Sequence, residues 1–335
     1  MRTWIRADQV ATAATCVIIM LIAYVVSAPA FVEAQKPPIR IAFNAWPGYE
    51  FFSLANELGY FEDEGVEVKL IKQASLGDAR RTFERGQTDL LASSMAEVIY
   101  IANENVTAIK TIAIADYSMG ADMLLTRREF ASVSDLRGKR IAIEPHSLDV
   151  VNLAFSLKSA GMNLSDVVVV PMPQNEMTQA FDLGTIDAAQ SYPPISVSLL
   201  RNERIHSVFD TSAIPGVIVD CVSASPQAIQ QRRPDIIKVM RAFFRAQRFF
   251  LNHPDQASTI LCKHLQLSSA ELQSTMKGIG LVPLPEQQAG LADSGQFVKS
   301  LEEATTQMRT IGLSPRMLDR AAWVDDSIVR EVTKP

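Results

Sequence analysis

The chain repeats its own pattern about one hundred residues on, and that echo limits what it can fold into more than any single motif does. Ile39-Arg40-Ile41-Ala42-Phe43 is answered by Lys139-Arg140-Ile141-Ala142-Ile143. The stretch 54–71 is answered by 153–170. A third match keeps one spacing throughout: Phe83, Gly86, Asp89 and Ser93 stand against Phe181, Gly184, Asp187 and Ser191. Each copy reads as an apolar run, a helical stretch, a β-branched run, a second helix stopping near a glycine, and a short third run. That is a βαβαβ unit. Such units build parallel sheets that leave binding crevices at the carboxyl ends of their strands. Two copies predict an α/β chain of two similar lobes facing each other across a cleft.

The first residues read as a targeting segment. Arg2 and Arg6 precede an apolar run from Val10 to Val26, and Ala28-Pro29-Ala30 and Val32-Glu33-Ala34 follow as small-residue cleavage patterns. The expectation is export, with 1–34 a signal peptide. The alternative is an uncleaved anchor, although the run is shorter than the ~20 residues that a spanning helix needs. The remaining 300 or so residues exceed one core of typical size, which agrees with two lobes. The formal net charge is −5, and the leader carries equal numbers of acidic and basic residues, so export leaves it unchanged. That charge gives no electrostatic footprint for nucleic acid. Beyond the leader only Cys221 and Cys262 remain, and two thiols in so long a chain read as separate residues rather than a disulfide framework.

In order, strands are predicted at 39–43, 66–71, 88–92, 109–115, 122–126, 141–143, 167–170, 188–190 and 217–224. Helices are predicted at 50–59, from Gly77-Asp78 to Gly86, from Ala96, at 149–160, at 176–183, and in amphipathic stretches at 234–251, 254–265 and 296–311. The first lobe is placed at 39–126 with 222–335, the second at 127–221. The chain is expected to cross between them near Arg127 and to return near Asp220.

No catalytic signature is present: there is no Gly-x-Ser-x-Gly, no His-Glu-x-x-His, no P-loop and no glycine-rich dinucleotide fingerprint. The expectation is therefore no enzyme, no metal site and no cofactor. The informative residues sit in strand-end loops. Trp46 and Tyr49, around Pro47-Gly48, offer a flat wall with polar handles; Trp46 plugging its own lobe is the plain alternative. Ser93 and Ser94 stand ahead of a helix, where one caps and the other meets a ligand, since free amides at a helix start bind anionic groups without Lys or Arg. Ser147 mirrors them in the second copy, and His146 beside it is a polar loop residue within reach of a ligand. Asp78, Asp116, Asp122 and Asp220 are the acidic candidates. Asp78 reads as a cap and Asp122 as a hinge residue, whereas Asp220 interrupts an apolar strand and, if buried, needs a partner: a ligand cation or amine, or a backbone amide. Arg80, Arg81 and Arg85 read as a solvated basic face.

Taken together, Trp46-Pro47-Gly48-Tyr49, the stretch 54–70, Gly86-Gln87-Thr88-Asp89, Asp135 to Ala142, Gly184 to Ala188 with Pro193, and Asp220 in its apolar strand resemble the solute-binding proteins of nitrate, sulfonate and taurine ABC importers, with their relatives that bind the thiamine pyrimidine precursor. The resemblance spans 39 to about 225. It implies a type II periplasmic-binding fold: two lobes, two crossings, and a cleft that closes over a small solute handed to a permease driven by its ATPase. It also implies a periplasmic monomer that meets the membrane only through the permease or an uncleaved leader, and ligand contacts at Trp46, Ser93, Ser94, Ser147, Tyr192 and Asp220. Two departures bear on the ligand. Residues 144–148 read Glu-Pro-His-Ser-Leu where the family has a small-residue turn, and no Lys or Arg lies in the cleft loops, which argues against a strongly anionic solute such as nitrate. The rival readings are an enzyme of pyrimidine or quinone precursor synthesis on the same fold, and a sensory module docked on a membrane receptor.

Overall fold

Eleven strands lie among the described residues, which are 36–104, 107–312 and 320–334 of this computed structural model; the predicted leader at 1–34 falls outside them. The first sheet holds β1 (Ile39–Asn44), β2 (Val68–Gln73), β3 (Leu90–Ser94), β4 (Lys110–Ser118), β10 (Val219–Ala224) and β11 (Ile279–Leu281), in the order β11-β4-β10-β3-β1-β2. The second holds β5 (Met123–Arg127), β6 (Arg140–Ile143), β7 (Val168–Pro171), β8 (Ala188–Ser191) and β9 (Ile205–Asp210), in the order β7-β6-β8-β5-β9. All the strands belong to one compact unit beginning at Pro38.

The repeat in the sequence is a repeat in the sheets. In each, a central strand is parallel to both neighbours (β1 with β2 and β3; β6 with β7 and β8), and antiparallel pairings follow, through β10, β4 and β11 in the first sheet and through β5 and β9 in the second. The fourth strand of each sheet is the one that has just crossed from the other. β5 arrives after β4 and pairs antiparallel with β8, and β10 arrives after β9 and pairs antiparallel with both β3 and β4. The first crossing therefore runs through 119–122, ahead of the expected Arg127, because Met123 to Thr126 are already hydrogen-bonded to β8. Short apolar runs look alike in either sheet, and only their pairing tells them apart.

The shared Gly and Asp positions have a physical task. Gly86 and Gly184 take the left-handed conformation, with φ of 67° and 66°, which ends the preceding helix without a Cβ clash. Three residues on, Asp89 accepts from the Arg40 backbone amide at 2.9 Å and from its guanidinium at 2.8 and 3.1 Å. Asp187 accepts from Arg140 at the same three distances. Each clasp fixes the start of a central strand against the start of the next. The Arg40 guanidinium holds Asp89 below the ordinary carboxylate range against the opposing effect of burial.

Helices cover the sheets. Ser225 caps the helix Pro226–Asn252, which bends at Arg232 just ahead of Pro234, so the predicted start at 234 marks its second segment. Its Phe243 packs on Phe52 and Phe51 of the helix Phe51–Glu57, with ring centroids 4.6 and 6.0 Å apart. Arg80 departs from the solvated face expected of it: it is buried, paired with Glu84 at 2.7 Å and set over the Tyr100 ring. Cys221 and Cys262 are free thiols.

Asp89→Ala should lower unfolding free energy by ~1–3 kcal/mol, since it strands a strand amide and a guanidinium at once. Asp187→Ala should act in the same direction, and the two effects should add because the clasps lie in different sheets. Denaturant titrations of the single and double variants check this; a silent Asp89→Ala would remove the clasp as a fold determinant.

Candidate functional site

Three adjacent strands bring polar groups into one row. Asp220 of β10 lies opposite Ser94 of β3 on one side and opposite Asp116 of β4 on the other. The bulge between Asp220 and Cys221 marks the end of this row. β1 stops at Asn44, and the loop after it folds back so that Trp46 Nε1 donates to Asp116 at 3.1 and 3.3 Å while the Tyr49 hydroxyl donates to Asp220. This approach needs Gly48: a Cβ there would sit 1.8 Å from Asp116 Oδ2. The second sheet contributes Tyr192, just past β8, whose ring meets Trp46 edge-on at 6.3 Å.

Asn44, Trp46, Tyr49, Leu76, Asp122, Leu148, Tyr192 and Asp220 line a single small cavity. The first sheet and its helices supply five of these residues, the second lobe supplies Leu148 and Tyr192, and Asp122 comes from the first crossing. Five of the residues singled out in the sequence meet here: Trp46, Tyr49, Asp122, Tyr192 and Asp220. Ser93, Ser94 and Ser147 are buried but do not line the cavity. Ser93 and Ser94 close β3 instead of following it. Ser94 accepts from the Ala96 amide at 3.1 Å and donates to Glu97, while Ser147 caps the helix Leu148–Ser159 by accepting from Asp149 at 3.2 Å. His146 departs from its expected place. It takes a left-handed turn with φ of 55°, which carries its ring outward to an exposed position beside Tyr100.

Two carboxylates tie one lobe to the other. Glu144 Oε1, after β6, accepts from the Gly77 amide at 3.1 Å, and Glu97 Oε1 accepts from the Leu148 amide at 2.9 Å. Both amides lie in the first turn of a helix, where unsatisfied N–H groups and the helix dipole attract anions. The chain fills these positions with its own acids. Gly77 is needed for this, since a Cβ there would lie 2.5 Å from Glu144 Oε1. Tyr192 adds a third link by accepting from the Leu76 amide at 3.4 Å.

Desolvation dominates the electrostatics. Burial pushes Asp116 up to about 7 against the partial offset of the Trp46 N–H, and pushes Asp122 up to about 7. Asp220 is raised well above the ordinary range by burial first and by the Asp116 and Asp122 charges next. Glu97 is raised to about 7, again by burial first. No Lys, Arg or His lines the cavity. Among the described residues no group of three or more His, Cys, Asp or Glu is arranged to hold a metal ion.

Of the cavity residues, Asn44 and Leu76 carry no motif; the acidic candidate Asp116 stands beside the lining, and its pairing with Asp220 becomes legible only once β10 is known to lie beside β4. Asp122, expected at the hinge, lies at the crossing and in the cavity wall together.

These acids bind protons more tightly in the folded chain than in the unfolded one, whose aspartates titrate near 4. Folding thus takes up protons between pH ~4 and ~7: the acids' contribution to stability is full below that window and is lost as pH rises through it. The carboxylates lowered by Arg partners, Asp89 and Asp187, act below that window. The ligand-free chain should therefore melt at a higher temperature at about pH 5.5 than at about pH 8, and Asp122→Asn should flatten part of that slope. Melting curves across this range check it; a melting temperature that rises steadily toward pH 8 would contradict it.

The comparisons with known proteins agree with this geometry. A protein of Bacillus subtilis named for binding aliphatic sulfonates is 23% identical over 300 residues, covering 83% of each chain. An ABC transporter periplasmic binding protein of Brachyspira hyodysenteriae is 24% identical over 211 residues, covering 59% of this chain and 60% of its own. Among solved structures, the alkanesulfonate-binding protein SsuA from Xanthomonas axonopodis pv. citri bound to MOPS superposes with a TM-score of 0.74 at 17% identity, over 87% of this chain and all of that one. The desulfurization enzyme DSZB superposes with a TM-score of 0.67 at 14% identity, over 89% of this chain and 99% of that one. The fold is thus that of the periplasmic binding proteins, a scaffold that also carries an enzyme. The sequence model described as NMT1/THI5 like matches residues 46–257, more than half of the chain, and on that ground the chain belongs to the NMT1/THI5-like family.

Proposed function

We propose that the chain is the extracytoplasmic solute-binding component of an ABC importer. In this reading it captures a small polar organic solute by closure of two lobes, 39–122 with 219–335 and 123–218, and delivers it to a permease driven by its ATPase. The observation that carries the reading is the cavity itself, walled by residues of both sheets and bordered by two carboxylate-to-amide links between lobes. A site assembled from two lobes opens when they part, and the solute supplies the differential contacts that favour closure. Trp46, Tyr49 and Tyr192 form the walls, and Asp220 and Asp122 the polar floor.

Export is supported by the leader pattern at 1–34 and by the periplasmic relatives. The chain is proposed to act as a monomer, binding without turnover. Among the described residues no helix is long and apolar enough to cross a membrane.

Trp46→Ala removes both the wall facing Tyr192 and the donor to Asp116, so it should weaken solute binding at least tenfold, about 1.4 kcal/mol. Calorimetric titration of a solute first identified by thermal shift checks this. Unchanged affinity in a folded Trp46→Ala variant would take Trp46 out of the site, and conversion of the solute to a new mass would replace the binding reading with an enzymatic one.

A further inference from the structure

We propose that the solute is a small organic cation, a protonated amine or amidine, whose N–H groups are received by Asn44, Asp122 and the Asp116–Asp220 pair, and that the cleft rejects sulfonates and nitrate. The inference rests on the binding reading above and names its ligand class.

The first observation is a pair of unused acceptors. Asn44 Oδ1 and Asp122 Oδ2 have no hydrogen-bond partner, although their residues are 1% and 2% exposed and line the same cavity. A buried acceptor without a donor costs roughly 1–3 kcal/mol, so a ligand that donates to both satisfies acceptors that the protein itself leaves unpaired. The second is the charge around them. Asp122 and Asp220 line the cavity, Asp116 stands behind Asp220, and Tyr49 and Tyr192 complete the titratable wall. Glu97, Glu144 and Asp149 lie beyond Leu148. Every one of these groups is an acid or a phenol. An anion placed among them would be desolvated beside like charges, the least favourable arrangement available to it. The third is the fate of the helix starts. The Gly77 and Leu148 amides, the places where an anion would be held without Lys or Arg, are taken by Glu144 and Glu97 of the chain itself.

The ring walls suit the same guest, since the faces of Trp and Tyr attract cations. Compactness follows from the smallness of the cavity that these residues line. A cation entering the site favours the ionised carboxylates and displaces the protons that burial holds there, so its affinity should rise with pH through the range near 7 in which Asp116 and Asp122 titrate.

The test uses the purified full-length protein and two sets of probes at matched ionic strength: acetamidinium, benzamidinium and propylammonium as chlorides, and propanesulfonate, nitrate and acetate as sodium salts. Thermal shift screens them, and calorimetry measures whatever binds. At least one cation should bind, its affinity should drop about tenfold or more between about pH 8 and about pH 5.5, and Asp122→Asn and Asn44→Leu should each weaken it about tenfold with the fold intact. Binding of an anion in preference to every cation would overturn the cation inference and leave the solute-binding reading standing. Binding of neither set by the folded protein would overturn the inference and count against the cleft as a solute site. Cation binding indifferent to both substitutions would place the cation elsewhere and overturn the inference as well.

Discussion

Strand β10 is hydrogen-bonded along both edges, to β3 and to β4, and the site depends on that double pairing. The strand arrives from the other lobe, so its pairing fixes the return crossing. The same register sets Asp220 between Ser94 and Asp116, which brings Trp46 and Tyr49 inward as donors to the two acids. All six residues of the strand are buried, so a slip of one residue would exchange the side chains facing the cavity for those facing the helices. One backbone ladder thereby governs topology, cleft and charge.

Much of this was legible because the repeat is local and periodic. The spacing from Gly86 to Asp89, recurring at Gly184 and Asp187, reflects a helix stop and a carboxylate reaching back to Arg40 or Arg140, and the parallel cores of both sheets follow from it. Strand-end aromatics were legible for a similar reason: β1 must end somewhere, and the loop behind Asn44 carries Trp46 and Tyr49 into the crevice. What stayed hidden depends on contacts across long separations. Asp116 and Asp220 are neighbours only through a strand inserted from the other lobe, and Glu144 meets Gly77 only when the lobes face each other. His146 misled because a polar residue in a cleft loop gives no sign of a left-handed turn that points it outward.

The charge pattern separates this cleft from an anion trap on the same scaffold. Helix starts facing a crevice are natural anion sites, and here Glu97 and Glu144 occupy them while linking the lobes. Behind them the remaining acids are buried without a basic partner in the cavity, so burial favours their protonated forms. A site of that kind stores a demand for donors and positive charge, and its lobes are held by groups whose protonation responds to the same medium.

The most direct measurement is the titration of the carboxyl carbons of Asp116, Asp122 and Asp220 in the ligand-free protein, by NMR of aspartate-labelled chain with Asp→Asn variants for assignment. Desolvated acids without a basic neighbour should show Asp116 and Asp122 midpoints at about 7, with Asp220 raised well above the ordinary range. Midpoints for all three near the ordinary aspartate value of about 3.9 would mean that the cleft is wetted or neutralised, and would contradict this account of the site.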